Sequence, residues 1–200
     1  MTTPAPDNSI HPQTIAELRD WLSANHARTE GVWLVLWKKE SNRERLDYDA
    51  LVEEALCFGW IDSKPNKLDE HRSMLWLAPR KAGAGWSRLN KARAEHAIAS
   101  GKMTPAGLAK IESAKKDGSW SALDDVEALT LPPDLIDALA LHAEAAAHFD
   151  AFPRSVKRAI LEWISNAKTP ATREKRISET ATRAAVNERA NQWRGSKSQG

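Results

Sequence analysis

The sequence predicts an α+β fold: a small mixed or antiparallel sheet of about three strands covered by helices, followed by a C-terminal helical bundle. Three observations carry this. Val32-Trp33-Leu34-Val35-Leu36-Trp37 is apolar at both parities and rich in β-branched and aromatic residues, the pattern of a central strand covered on both sides. Ile61 to Leu68 and Ser73 to Ala78 read as two more strands, joined through the polar connector Asp69-Glu70-His71-Arg72, which has hairpin length. Beyond Pro79 the apolar residues recur at helical spacing, and the starts are marked by Ser, Thr and Pro.

Met1 to Ser9 contains Pro4 and Pro6 but neither a cationic start nor an apolar segment, so residues 1–12 read as a flexible tail rather than a signal peptide. Thr14 is an N-cap for a helix with Ile15, Leu18, Trp21 and Leu22 on one face, ending near Asn25. Gly31 opens the central strand. After the polar run Lys38 to Arg45, Asp47 caps a second helix, with Leu46 and Leu51 placed as a hydrophobic staple. Leu51, Val52, Ala55 and Leu56 form its buried face, and Glu53 and Glu54 are expected to face water. Gly59 closes this helix and Trp60 begins extended chain.

Pro65 marks the following strand as an edge or bulged strand. Pro79 stops its partner. Ser87 caps a helix expected to bury Leu89, Ala92 and Ala97. The next is the best-marked in the chain, with Thr104 as N-cap, Pro105 at the first position, Met103 and Leu108 as a staple, and Gly118 beyond the end. Leu131-Pro132-Pro133 starts a pair of short helices through about Phe149. Pro153 opens another, striped by Val156, Ile160, Trp163, Ile164 and Ala167. Thr169-Pro170 begins a final helix to about Gln192, expected on the surface because its only large aliphatics are Ile177 and Val186. The domain reading is an α+β core over 13–130, a helical region over 131–192 packed on it, and a disordered tail over 193–200.

Two hundred residues suffice for one substantial core. No apolar run approaches the roughly 18 to 20 residues of a membrane span, so no membrane insertion is expected. Cys57 stands alone, which excludes an intrachain disulfide and makes a reducing cytoplasm the simplest compartment. The formal charge of +2 hides strong segregation. Residues 1–63 carry 6 basic and 11 acidic groups, residues 64–116 carry 12 and 4, residues 117–152 carry 0 and 8, and residues 153–200 carry 11 and 4. Such blocks attract polyanions or neutralise one another within the fold.

The segments Glu54-Ala55-Leu56-Cys57-Phe58-Gly59-Trp60-Ile61-Asp62-Ser63, Pro79-Arg80-Lys81 to Trp86-Ser87-Arg88-Leu89-Asn90-Lys91, Gly101-Lys102-Met103 and Gly118-Ser119-Trp120 occur in this order. Pro153-Arg154-Ser155, Ala167-Lys168 and Thr172-Arg173 to Arg176-Ile177 follow. Together they resemble the YdeI/OmpD-associated family, also called bacteriocin-protection proteins, over roughly residues 10 to 190. The resemblance implies a bacterial cytoplasmic protein linked to tolerance of bacteriocins, antimicrobial peptides or other stress. It carries no established catalytic residues.

Chemistry concentrates between Trp60 and Asn90. Arg80 and Lys81 leave a strand, Gly83 and Gly85 let backbone approach a ligand, and Ser87 starts a helix, which are the parts of an anion site. In that reading Arg80 makes the directional contact, Lys81 adds charge, and the N–H groups around Gly85, Trp86 and Ser87 complete a cradle, with Asn90 one turn on. The alternative is an ordinary loop whose arginine meets an internal carboxylate, with Asp62 as the partner. Trp60, Trp76 and Trp86 either wall a pocket or fill the core; Trp76 is assigned to the core, Trp60 and Trp86 to a pocket rim. Cys57 reads as a structural thiol. His142 and His148, six apart, share no helix face, so no metal site is expected, and no motif calls for a cofactor.

The function read from the sequence is a non-enzymatic binding protein that takes an anionic small molecule or a partner protein at Trp60 to Asn90. One alternative is nucleic-acid binding through Arg154, Lys157, Arg158, Arg173, Lys175, Arg176 and Arg183, which the adjacent acidic block and the lack of interleaved aromatics argue against. The other is an enzyme using Asp62 with Arg80.

Overall fold

A computed structural model describes residues 3–191, and the chain divides into two compact units, Met1–Ala122 and Leu123–Gly200. In the first unit β1 (Ser9–Ile10), α1 (Ile15–Asn25), β2 (Val32–Trp37), α2 (Tyr48–Cys57), β3 (Trp60–Lys67), β4 (Arg72–Pro79), α3 (Arg88–Ala99) and α4 (Pro105–Asp117) follow one another. The sheet order is β1-β2-β4-β3, with β1 parallel to β2 and the other pairs antiparallel. The fold is α+β as expected, with four strands in place of three.

The extra strand comes from residues assigned to the tail. Ser9 and Ile10 pair with Trp33 and Leu34, and the Asn8 side chain donates to the Gly31 carbonyl at 2.9 Å. Two residues hold no readable period, so only the open edge of β2 reveals them as a strand. From there the N-terminal chain runs to Thr3, whose carbonyl accepts from Arg72 Nη2 at 2.6 Å. β3 breaks register between Asp62 and Pro65, the irregularity that Pro65 predicts at an edge.

Register assigns the apolar run to two different surfaces. Val32 and Leu34, opposite Leu77 and Leu75, enter the main core with Leu18, Leu22, Leu51, Leu56 and Trp60. Trp33 and Trp76, also paired, point the other way and meet edge to face with ring centres 5.0 Å apart, both half-buried. Trp76 lies so close to the chain at Gly31 that a Cβ there would sit 2.6 Å from the indole. Thus Trp76 is not in the helix-covered core, contrary to expectation; parity alone does not say which of two apolar faces receives the helices.

All five predicted side-chain caps form: Thr14, Asp47, Ser87, Thr104 and Thr169 each accept from a backbone N–H three residues on. Two facing assignments are corrected. Glu54 is 5% exposed rather than solvated, because α1 brings Arg19 over it, Nη1 donating to Oε1 at 2.6 Å. Leu89 is 59% exposed and Ala92 is exposed as well, whereas Ala97 is buried as expected and Ala94 joins it, two small side chains that suit close packing of α3 with α2.

Thr104 does more than cap. Its hydroxyl donates to the Cys57 carbonyl at 2.6 Å and its N–H reaches the same oxygen at 3.2 Å, which ties the start of α4 to the end of α2. Thr104→Ala is expected to cost about 2 kcal/mol, one for the cap and one for the tertiary bond. Thr104→Ser keeps both and should melt within about 0.5 kcal/mol of the parent in urea. Equal losses for the two variants would show that the methyl, not the hydroxyl, matters.

The second unit contains α5 (Asp124–Ala128), α6 (Pro133–Ala140), α7 (Ala145–Ala151), α8 (Arg154–Ser165) and α9 (Pro170–Ala185). Val156, Ile160 and Ile164 of the predicted α8 stripe are buried, while Trp163 is half-buried. The surface assignment of α9 is corrected. It packs on α6, α7 and α8 through Ile177, Thr180, Ala181 and Ala184, small residues that bring helices close without a conspicuous apolar stripe. α9 ends at Ala185, short of the expected Gln192, and the tail predicted over 193–200 lies outside the described residues. Among the described residues no helix is long and apolar enough to cross a membrane.

Candidate anion site

Arg80 leaves β4 where its backbone N–H bonds the Gly59 carbonyl at 2.9 Å, and its side chain turns inward to 6% exposure. The guanidinium carbon lies 3.8 Å from the ring centre of Trp86, close enough for a desolvated cation–π contact. Nη2 donates to the carbonyls of Ala84 and Gly85 at 3.2 and 3.0 Å. Among the described residues no carboxylate pairs with it. Burial pushes its pKa down to about 10, with no carboxylate charge to counter it, yet it stays cationic at neutral pH.

Beside it is a cavity of about 40 Å³, lined among others by Arg80, Lys81, Trp86, Lys110, Asp117 and Ser119. Three cations and one carboxylate give this lining an excess of positive charge. Ser119 is 6% exposed, and its buried hydroxyl faces the Asp117 carboxylate. That hydroxyl, together with the N–H groups of Ser119 (2.9 Å) and Gly83 (3.2 Å), holds the Asp117 carboxyl below its usual range.

The expected cradle therefore differs in its parts. The loop aims the Ala84 and Gly85 carbonyls, not N–H groups, at the guanidinium, and Gly83 N–H serves Asp117. Ser87 and Asn90 do not line the cavity: Ser87 caps α3 through Asn90 N–H, and Asn90 Oδ1 accepts from Arg93 at 2.8 Å. Trp86, 2% exposed, belongs to the main core rather than to a rim, and it also lines the cavity; its ring is tilted against that of Trp120 with centres 4.9 Å apart. Trp60 is not a rim residue. It is fully buried, its indole N–H donating to His26 O at 3.0 Å and its ring edge-on to Trp21.

Lys110, Ser113, Asp117 and Ser119 were missed. The first three fall at i, i+3 and i+7 on the best-predicted helix, so they share a face, but only tertiary packing turns that face toward Arg80.

Asp62 and Arg80 are not brought together. Asp62 accepts from the Tyr48 hydroxyl at 2.6 Å, and burial, then this bond and the Asp62 charge, raise the Tyr48 pKa to about 12. A phenol so held is no base near neutrality. Cys57 is fully buried, with burial first and the Glu54 charge second pushing its thiol up to about 11. Native protein should resist thiol-reactive reagents and expose one thiol per chain in denaturant; labelling of native protein at the rate of a free thiol would contradict this burial. Among the described residues no group of three or more His, Cys, Asp or Glu is placed to hold a metal ion.

Residues 10–110, half of the chain, match the model of a family described as a domain of unknown function (DUF8412), and residues 128–187 match the family described as bacteriocin-protection, YdeI or OmpD-associated. The chain belongs to the first of these families, and its residues 128–187 are similar to the second. No curated protein and no solved structure matches it.

The second unit holds the basic residues considered for nucleic acid, and six of the seven are engaged within it. Arg154 donates to Glu127 O, Lys157 to Asp150 O, and Arg176 to Trp163 O. Arg158 pairs with Glu127 and Glu162, Arg173 with Asp134, and Arg183 with Glu179 and Glu188. Lys175 makes no such bond. Three of them, Lys157, Arg158 and Arg173, pair with carboxylates of the acidic block, the internal neutralisation that its place beside the basic segment suggested.

Proposed function

We propose that this chain is a non-enzymatic binding protein of the bacteriocin-protection type whose first unit recognises a small oxyanion, or the phosphate or carboxylate end of a small ligand, beside Arg80. The observation that carries this reading is a buried guanidinium with no carboxylate partner, facing a cavity whose lining has a net positive charge. A buried cation is costly unless paired, so an incoming anion gains more here than at a solvated arginine. About 40 Å³ holds two or three water-sized groups, so only an anionic head group enters. Arg80 would supply the directional contact, Lys81 and Lys110 the surrounding charge, and the Ser119 hydroxyl a further donor.

The test is thermal unfolding in phosphate and sulfate against chloride at matched ionic strength. At ten times the dissociation constant, binding adds about 1.4 kcal/mol, or roughly 3–6 °C for a chain of this size. Indifference to every oxyanion, and to phosphorylated and carboxylated metabolites, would refute the proposal.

A further inference from the structure

The second unit carries a feature unrelated to Arg80. Between α6 and α9 lies a groove of about 620 Å³, within the range of ligand and peptide sites. Its floor is apolar, formed by Ala138, Ile177 and Ala181, with Leu141 at its rim. Leu141, just past the end of α6, is 82% exposed, so the groove presents a large aliphatic side chain that nothing in this unit covers. Its polar lining sets three carboxylates, Asp134, Asp137 and Glu174, against one arginine, Arg173, beside His142 and Ser178. Asp134 is held by Arg173 at 2.7 and 2.9 Å, and among the described residues the carboxylates of Asp137 and Glu174 have no partner. The α6 wall also belongs to residues 117–152, which contain eight acidic groups and no Lys or Arg.

From this pairing of an apolar floor with unpaired carboxylates, we infer that the groove docks a cationic amphipathic helix of a partner polypeptide. Two helices side by side form a trough into which a third lays its apolar stripe, and this is the helix-in-groove mode of recognition. The eight residues of α6 make a wall roughly 12 Å long, enough for about two turns of the incoming helix. Leu141 would be the apolar anchor. Asp137 and Glu174 would receive lysines or arginines at the border of the stripe, adding selectivity for cationic over anionic partners more than raw affinity.

The full chain is titrated into a labelled helix of about four turns with a leucine stripe and lysines elsewhere, and into the same helix with glutamates in place of lysines, followed by fluorescence anisotropy at low and physiological salt. The lysine helix is expected to bind at least about tenfold more tightly than the glutamate helix, and less tightly as salt rises. Asp137→Lys/Glu174→Lys should erase that preference, and Leu141→Asp should weaken the lysine helix at least about tenfold although it adds acidic charge. All three positions are exposed, so the variants should keep the parent melting temperature. Equal binding of the two helices, binding that ignores these substitutions, or groove-dependent self-association in sedimentation would overturn the assignment, the last by making a second copy the occupant.

Discussion

Arg80→Met is expected to abolish the thermal response to oxyanions while leaving the unliganded protein within about 1 kcal/mol of the parent. Removing one member of a buried ion pair usually costs about 3–5 kcal/mol, because it strands the opposite charge. Here the acceptors are two neutral backbone carbonyls, those of exposed Ala84 and half-buried Gly85, so no charge is stranded, and the loss of their donor is partly offset by relief of the guanidinium's own desolvation. Methionine keeps an unbranched stem against Trp86, so packing is largely conserved. Phosphate and sulfate also stabilise proteins by exclusion from their surfaces, and the variant subtracts that effect because it shares the surface. Arg80→Lys should retain charge but lose the planar fork, leaving a weakened response. An Arg80→Met protein destabilised by several kcal/mol, with a parent indifferent to anions, would make Arg80 scaffold.

Gly107→Ala should produce the largest stability loss of any single methyl addition described here, roughly 3 kcal/mol. A Cβ at this position would lie 2.4 Å from the Cys57 carbonyl oxygen, 2.7 Å from that of Leu56 and 2.4 Å from Met103 Sδ. The sulfur can move; the two carbonyls are the end of α2 and cannot without disturbing the main core. In an isolated helix the same substitution would stabilise by about 1 kcal/mol, so the sign of the measurement decides whether close packing or propensity rules. With roughly 2–4 °C lost per kcal/mol, the melting temperature of the first unit should fall by about 6–12 °C. α4 also carries Lys110 and Asp117 to the cavity, so the anion response should weaken in parallel. A neutral or stabilising alanine would place α4 farther from α2 than these distances require.

What the sequence determined by itself is local. Thr14, Asp47, Ser87, Thr104 and Thr169 cap their helices because a short oxygen-bearing side chain before a helical turn meets an N–H three residues on, whatever packs elsewhere. The hairpin, the break at Pro65 and the α8 stripe were legible for the same reason; of the motifs read as YdeI/OmpD-associated, those from Pro153 to Ile177 fall within that family's match, while those between Glu54 and Trp120 fall outside it. Tertiary structure decided the rest. Whether Trp60 or Trp76 entered the core depended on which face of an apolar strand received the helices, and register, not composition, settled that. Arg80 was visible as a cation before a glycine-containing loop, but its missing carboxylate, its contact with Trp86 and its neighbours on α4 bring together residues tens of positions apart. A desolvated charge is a property of everything that surrounds it, and a sequence read along the chain contains only the neighbours on either side.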